Sequence, residues 1–487
     1  MKNRKELLSR IAYASGDIYG GGSFIIVGLL FLVYLTNVEG FSGTSAGIIV
    51  FIGKAWDAIT DPFMGQLSDR TRSRFGRRRI YFLLGSLPVF FSWVMLWHGF
   101  GITGGTARFL YYTLAYIFFS MAFTVVMVPY NAILSDMVRD YNRRSAFTGM
   151  RLGFSAAGAI LCATVPAMIT GAYEDPKQAY LIMGLTFGAL FAICWLVVFF
   201  GTWENQMKPV LAVSIKDWLS VIRNRSFRTY VTIFILCQMA IDTVMTLAVY
   251  FLTVSLQKEE LFAIIMGSIL ATQLVFIGIF SHVAQKTDKT TPAYISAGVW
   301  IAASFAVIFF SSSTPGFIII STCALIGVGS AGLNLFSWSA LPDIADVDEL
   351  ITGRRREGLY AGVSTFLRKF SGGVVVGVLG IALDVIGYSK EALSAGNISP
   401  VTDWGIRLLF CALPFTFLIF ALLFLRKYKL GRQEFNIMSK ILNRYRAGET
   451  DISLEGEELR VCRQLTGLKD DRFFRSDQDS DLLIDSK

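Results

Sequence analysis

Charge is scarce in this chain: only 17% of its 487 residues are Asp, Glu, Lys or Arg. Soluble domains carry roughly 25%, so the composition fits lipid as solvent better than water. Histidine is scarcer still, with His98 and His282 far apart and near helix ends. The six cysteines (Cys162, Cys194, Cys237, Cys323, Cys411 and Cys462) are scattered, and no two have metal-ligand or redox spacing. With no His/Cys cluster, metal-enzyme and haem readings lose their ligands. Gly20-Gly21-Gly22 is no nucleotide loop, because no strand precedes it and no Lys-Ser/Thr follows. Small residues in that run suit close helix packing instead. No metal and no cofactor is expected.

What the chain has in quantity is apolar length. Hydrophobic residues make up 54%, phenylalanine alone numbers 41, and the mean hydropathy is +0.54. Apolar runs recur, each reaching the roughly 20 residues that cross a hydrocarbon core. They predict twelve spans, at about 11–36, 43–67, 80–100, 107–135, 147–171, 178–202, 228–255, 261–284, 292–311, 316–342, 357–386 and 404–426. No small-residue cleavage site follows the first run, so it is expected to be retained as a helix. The predicted class is an all-α polytopic membrane protein.

The net charge of +9 is a topology signal once its placement is seen. The loop after the second span carries Arg70, Arg72, Arg74, Arg77, Arg78 and Arg79, and the loops after spans four, eight and ten add Arg139, Arg143, Arg144, Lys286, Lys289, Arg354, Arg355 and Arg356. The stretch between spans six and seven contributes Lys208, Lys216, Arg223 and Arg225, whereas the opposite loops hold little beyond Lys177, Lys258 and Lys390. Positive loops stay inside, so both termini are expected to be cytoplasmic. No nucleic-acid partner is implied.

The polar stretch 203–227 divides the chain into a six-span half at 1–202 and another at 228–426, followed by a tail at 427–487. A weak echo links the halves. Asp136 ends the fourth span, an Arg-rich loop follows, and Phe147 stands two residues before Gly149; Asp343, a second Arg-rich loop, Tyr360 and Gly362 repeat the arrangement after the tenth. In the tail, Phe435, Ile437, Met438, Ile441 and Leu442 fall at helical spacing. They predict a basic amphipathic helix lying on the membrane or on the cytoplasmic loops. The acidic end at 477–487 reads as disordered.

The strongest chemical signal lies in the second span, where Asp57 and Asp61 stand at i and i+4, with Lys54 one turn before them and Thr60 alongside. Each Asp costs roughly 2.5–3.5 kcal/mol inside a span even on insertion scales. Two of them on one helix face are expected to line a wet cavity, where carboxylates with hydroxyl help suit a hard monovalent cation or a proton. A structural network with Lys54 is the plainer alternative. The next residues run Gly65, Asp69-Arg70, then Gly76-Arg77-Arg78-Arg79. This pattern resembles the loop signature of the major facilitator superfamily, and Asp69 is expected to act as a latch that pairs with a neighbouring Arg in one conformation only.

Four further features narrow the resemblance: Tyr13-Ala14-Ser15-Gly16-Asp17, Trp56-Asp57 through Asp61-Pro62, Gly353 through Glu357-Gly358, and Phe366 through Lys369 with Gly387-Tyr388 behind it. As a set they are similar to the glycoside-pentoside-hexuronide:cation symporters, the melibiose permease type, over about residues 8–445. The resemblance implies a major facilitator fold of two pseudo-symmetric six-helix bundles, a central site, and sugar uptake coupled to Na+, Li+ or H+ across a bacterial cytoplasmic membrane. Its cation site falls on Asp57, Thr60, Asp61 and Thr124, its intramembrane lysine on Lys369 and its fifth-span arginine on Arg151. The gating positions are Asp69, Arg70, Arg77, Arg78, Asp136, Asp343 and Arg355.

The chain also departs from that family. The two acidic residues that hold the sugar there are replaced by Gly21 and Met127. Asp17 lies one turn before Gly21, Tyr130 and Asn131 lie just beyond Met127, and Asp242 is a further carboxylate inside the seventh span. These are the substitute sugar contacts, although Asp242 in a plain helix–helix bond would explain it equally. The expected partners are therefore a small sugar-like solute, a monovalent cation and lipid. A second reading keeps the fold and changes the cargo to an anionic sugar, another organic anion or a lysolipid, with Lys54, Arg151, Arg368 and Lys369 as complements. A third, of another class, is a non-transporting sensor. No nucleophile–base pair suggests an enzyme.

Overall fold

The computed structural model describes residues 2–138, 141–204, 220–354, 356–389, 393, 398–447, 449, 454–468 and 473–474, without the side chains at 2–4, 62, 66, 69, 135, 141, 142, 144, 145 and 223. The long helices are α1 (Lys2–Ile26), α2 (Gly43–Arg70), α3 (Arg79–Leu96), α4 (Gly105–Met137), α5 (Tyr141–Thr170), α6 (Pro176–Gly201), α7 (Arg225–Tyr250), α8 (Phe262–Lys286), α9 (Thr290–Val307) and α10 (Gly316–Ser339). They are followed by α11 (Leu341–Thr352), which extends the tenth span, then α12 (Glu357–Val385) and α13 (Pro400–Leu425) as spans eleven and twelve, and α14 (Arg432–Arg446) and α15 (Gly456–Thr466) in the tail.

Among the described residues, eleven helices are long and apolar enough to cross a membrane. The exception among the twelve expected spans is α2, 28 residues long, whose middle carries Lys54, Asp57 and Asp61. Its length spans a bilayer at 1.5 Å per residue, so its polarity marks it as an interior helix rather than a short one.

Helix boundaries follow the local chemistry. Ser42, Asp175, Asn224 and Ser399 cap the first free N–H groups of α2, α6, α7 and α13, and Pro176 and Pro400 occupy first-turn positions where no N–H donor is needed. Gly353 closes α11 in the left-handed region at φ 65°. The first and seventh spans share a further feature: both finish in π-helical turns, at Val27–Phe31 and Tyr34–Val38 in one and Phe251–Leu256 in the other.

Packing within the first six spans joins α1 to α5 and α6, α3 to α4 and α6, and α2 to α4; in the last six, α10 packs on α9, α8 on α10, and α13 on α7 and α9. The sets meet chiefly where α2 packs on α12 and α5 on α8. The α2–α12 seam is built from Gly43 and Gly47 against Gly377 and Gly380, whose backbones approach so closely that a Cβ at Gly380 would collide with the Gly43 carbonyl. Small residues allow this intimacy where lipid supplies no hydrophobic drive. The Gly20–Gly22 run packs similarly, with Gly21 against Ser155 and Gly22 against Cys162 of α5.

The described part of the tail packs on the second half. Met438, Ile441 and Leu442 of α14 are buried, and Arg446 forms ion pairs with Asp346 (3.0 Å) and Glu349 (2.5 Å) of α11. Those carboxylates hold the Arg446 guanidinium well above its usual pKa. Ser226 donates to the Leu465 carbonyl (2.6 Å), and the Phe474 N–H to Leu350 (2.8 Å), so α15 and the segment beyond dock on the same half. The acidic end at 477–487 and most of the 203–227 stretch lie outside the described residues.

Candidate functional site

Asp57 and Asp61, one turn apart on α2, face α4 and α12. Thr124 of α4 donates to Asp57 Oδ1 (2.9 Å), or to Asp61 Oδ1 (2.8 Å), and so lies between both carboxylates. Lys369 of α12 places its ammonium 2.8 Å from Asp57 Oδ2 and 2.6 Å from Asp61 Oδ2. The same ammonium lies 5.5 Å from the Phe123 ring centroid. Asp57 is 1% exposed, a burial that a carboxylate tolerates only when paired and hydrogen-bonded. The cluster therefore ties α2 and α4 of one half to α12 of the other.

Lys369, expected at the solute, sits between the two carboxylates and also lines the adjoining cavity. Thr60, expected beside the carboxylates, is partly exposed, and its hydroxyl donates back to the Trp56 carbonyl (3.1 Å) and the Asp57 carbonyl (3.3 Å). Thr60 precedes Asp61 by one residue, a rotation of about 100°, which turns it off the flank that α4 and α12 cover.

Beside the cluster is a cavity of about 260 Å³, lined from α1, α2, α4, α7 and α12. Lys54, Asp57, Asp242, Arg368 and Lys369 supply its charge, Gln238 and Thr246 its neutral polar groups, and Gly20, Gly21, Gly28 and Gly372 its open wall. These positions lie near mid-length of their helices. Asp242 does reach this cavity and accepts from Gln238 Nε2 at 3.3 Å.

The other expected solute contacts are engaged elsewhere. Tyr130 is fully buried, stacks on Tyr13 at 4.8 Å, and donates to the Tyr13 carbonyl (2.8 Å). No free ring face remains: the Arg151 guanidinium lies over it at 4.7 Å. Arg151 Nη2 also donates to Asp17 Oδ1 (3.1 Å) and Asn131 Oδ1 (2.7 Å), which joins α1, α4 and α5. Asp17, Tyr130, Asn131 and Arg151 thus form one network beside the cavity rather than its lining.

At the basic end, Asp136 closes α4 and pairs with Arg77 (3.0 Å) and Arg78 (2.5 Å) from the loop before α3. Glu204, which the sequence reading passed over, accepts the backbone N–H groups of Arg77 (2.9 Å), Arg78 (2.8 Å) and Arg79 (2.7 Å). It anchors the start of α3 from beyond the end of α6, where a negative group also meets the helix dipole. In the other half Asp343 pairs with Lys289 (2.6 Å), and Arg356 with Asp348 (2.7 Å). Arg70 is exposed, while Arg355 and the Asp69 side chain lie outside the described residues.

The opposite end holds further contacts between the halves. Asp384, in the last turn of α12, accepts the Gly43 and Thr44 N–H groups at the start of α2, each at 2.7 Å. Thr36 and Tyr250 share a hydrogen bond of 2.9 Å, and Tyr388 donates to Asn37 Oδ1 at 2.8 Å.

Residues 12–432 match the family model of MFS/sugar transport proteins. A putative glycoside/cation symporter of Escherichia coli, YagG, is 27% identical, with 90% of this chain and 95% of that one aligned. A sodium-dependent lysophosphatidylcholine symporter of Gallus gallus is 23% identical over 95% of this chain and 93% of its own. In fold, a bacterial homologue of the lysosomal transporter Spinster superposes with a TM-score of 0.67 at 12% identity, covering 91% of this chain and 98% of the other. The helix order, the charged second span and the matched length agree, and the chain belongs to the MFS/sugar transport family of the major facilitator superfamily, whose members are membrane transporters and not enzymes.

Proposed function

We propose that this protein imports a small sugar-like solute together with Na+ or H+ by alternating access. The observation that carries the reading is the Lys369 ammonium held between Asp57 and Asp61, with Thr124 bridging the same carboxylates, at the rim of the cavity between the halves. A monovalent cation entering that oxygen cluster competes with a tethered ammonium from the opposite half. Cation binding is thereby linked to how α12 sits against α2, which is what coupling requires. The linkage is reciprocal, so the solute tightens the cation site by the same factor.

On this reading the basic loops and both termini are cytoplasmic. Asp384, Thr36 and Tyr388 then close the outer end, and the cavity belongs to the inward-facing branch of the cycle. Its volume of about 260 Å³ falls just under the roughly 300–1,000 Å³ of drug-sized sites, which favours a compact solute over an acyl chain. The test is Asp61→Asn in proteoliposomes with an imposed Na+ or proton gradient and a panel of sugars. Uphill accumulation should be lost while exchange of solute persists. Undiminished accumulation would refute the cation role.

A further inference from the structure

The charges around the cavity can be summed. Lys54, Arg368 and Lys369 contribute three positive charges, and Asp57, Asp242 and the Lys369-linked Asp61 contribute three negative ones, so 3 − 3 = 0. The neighbouring Arg151–Asp17 pair adds nothing to the balance. Neutrality is not evenly distributed, however. Asp57 and Asp61 share Lys369 and Thr124, and these four groups satisfy one another. On the other side two cations face one carboxylate. Among the described residues Asp242 takes its hydrogen bond from the neutral amide of Gln238, Lys54 forms no direct ion pair, and Arg368 Nε is buried without a partner.

Gly372 of α12 packs directly against Asp242 and Lys54. A Cβ there would stand 2.5 Å from Asp242 Oδ2 and 3.2 Å from Lys54 Nζ. Only a residue without a side chain lets Asp242 and Lys54 approach α12 this closely at the cavity wall.

We propose that the solute is a compact sugar acid carrying one carboxylate or sulfonate, bound by Lys54 and Arg368 next to Asp242, and that its symport with one cation is electroneutral. The proposal rests on the cation-coupled reading above. A cation alone at Asp57 and Asp61 leaves the buried cluster at +1, and an anion alone leaves it at −1. Either excess is unfavourable in a low-dielectric interior. The two together restore zero, so each ligand favours the other without any direct contact between them. Empty and doubly loaded carriers then have the same charge, and neither crossing moves charge through the membrane potential.

The experiment uses the full chain in proteoliposomes with glucuronate, 6-sulfonated glucose, neutral glucose and a neutral methyl galactoside as probes. A cation gradient is imposed, and the potential is clamped at zero or at about −100 mV with K+ and valinomycin. Saturable, cation-dependent uptake of one of the acids, at the same rate under both clamps, is expected. Lys54→Gln and Arg368→Gln should each raise the half-saturating acid concentration about ten-fold, as loss of one charge-assisted contact does. Gly372→Ala should act in the same direction while changing no charge. Cation-driven uptake of the neutral sugars alone would overturn this proposal and leave the coupled-transport reading standing. Acid uptake that accelerates with the clamped potential would overturn electroneutrality. Acid uptake indifferent to every cation would instead remove the coupling on which the proposal rests.

Discussion

Asp384→Ala removes a carboxylate that one half of the protein places over the helix start of the other. Two backbone N–H donors at 2.7 Å, from Gly43 and Thr44, lose a charged acceptor. A hydrogen bond to a charged group contributes roughly 1.5–3 kcal/mol, and an anion at a helix N-terminus adds about 0.3–1 kcal/mol. The site is partly exposed, so water recovers much of this, and about 1.5–3 kcal/mol for the whole contact is the working figure. Every 1.4 kcal/mol is tenfold, so the state closed at this end should lose about 10- to 100-fold in population relative to the state open there. Asp384→Asn, which keeps one acceptor oxygen, should fall between wild type and Ala. The assay is a spin-label distance between cysteines placed at the exposed Tyr173, in the loop after α5, and Val401, in the first turn of α13, both at this end. All six native cysteines are buried, so background labelling is low. An unchanged distance distribution in folded Asp384→Ala would refute the argument that this contact holds the halves together.

Thr124→Val deletes a donor shared by two carboxylates, whereas Thr60→Val deletes one that serves only its own helix. Cation affinity, read by calorimetry, should drop about ten-fold or more in the first and change less than about two-fold in the second; the opposite ranking would return Thr60 to the site. Glu204→Ala leaves three N–H groups at the start of α3 without their acceptor. Its cost should be about 0.5–2 kcal/mol, in the range of helix caps, seen as a lower melting temperature in detergent, and an unaltered melt would show that water replaces the cap in full.

Hydropathy made the spans legible because burial in lipid constrains twenty residues at once, and a misjudged end changes little. The second span was legible for the opposite reason, since carboxylates so far from water must have a purpose. Partners were harder. Thr60 shares an apparent helix face with Asp57 and Asp61, yet which flank of α2 is covered depends on how α4 and α12 pack, and spacing along one helix contains no such information. Tyr130 looked like a cavity ring because it follows Met127; rotation along α4 instead sends it inward to Tyr13. Lys369 was visible as an intramembrane charge, but its partners lie 308 residues away in sequence for Asp61 and farther for Asp57. Glu204 gave no local signal at all, since its three donors are more than a hundred residues earlier.

The docking of the tail makes the two halves mechanically unequal. Arg446, Leu465 and Phe474 all fasten to α7 or α11 of the second half, so α14, α15 and Phe474 travel with that half as a fixed load. A label placed on α14 or α15 therefore tracks one side of the rocking motion and not the mean of both. Truncation before α14 carries a chemical consequence as well: Asp346 and Glu349 lose their guanidinium, and the apolar strip covered by Met438, Ile441 and Leu442 meets water. A shortened chain made for crystallisation would thus present a new sticky acidic surface on the moving half alone.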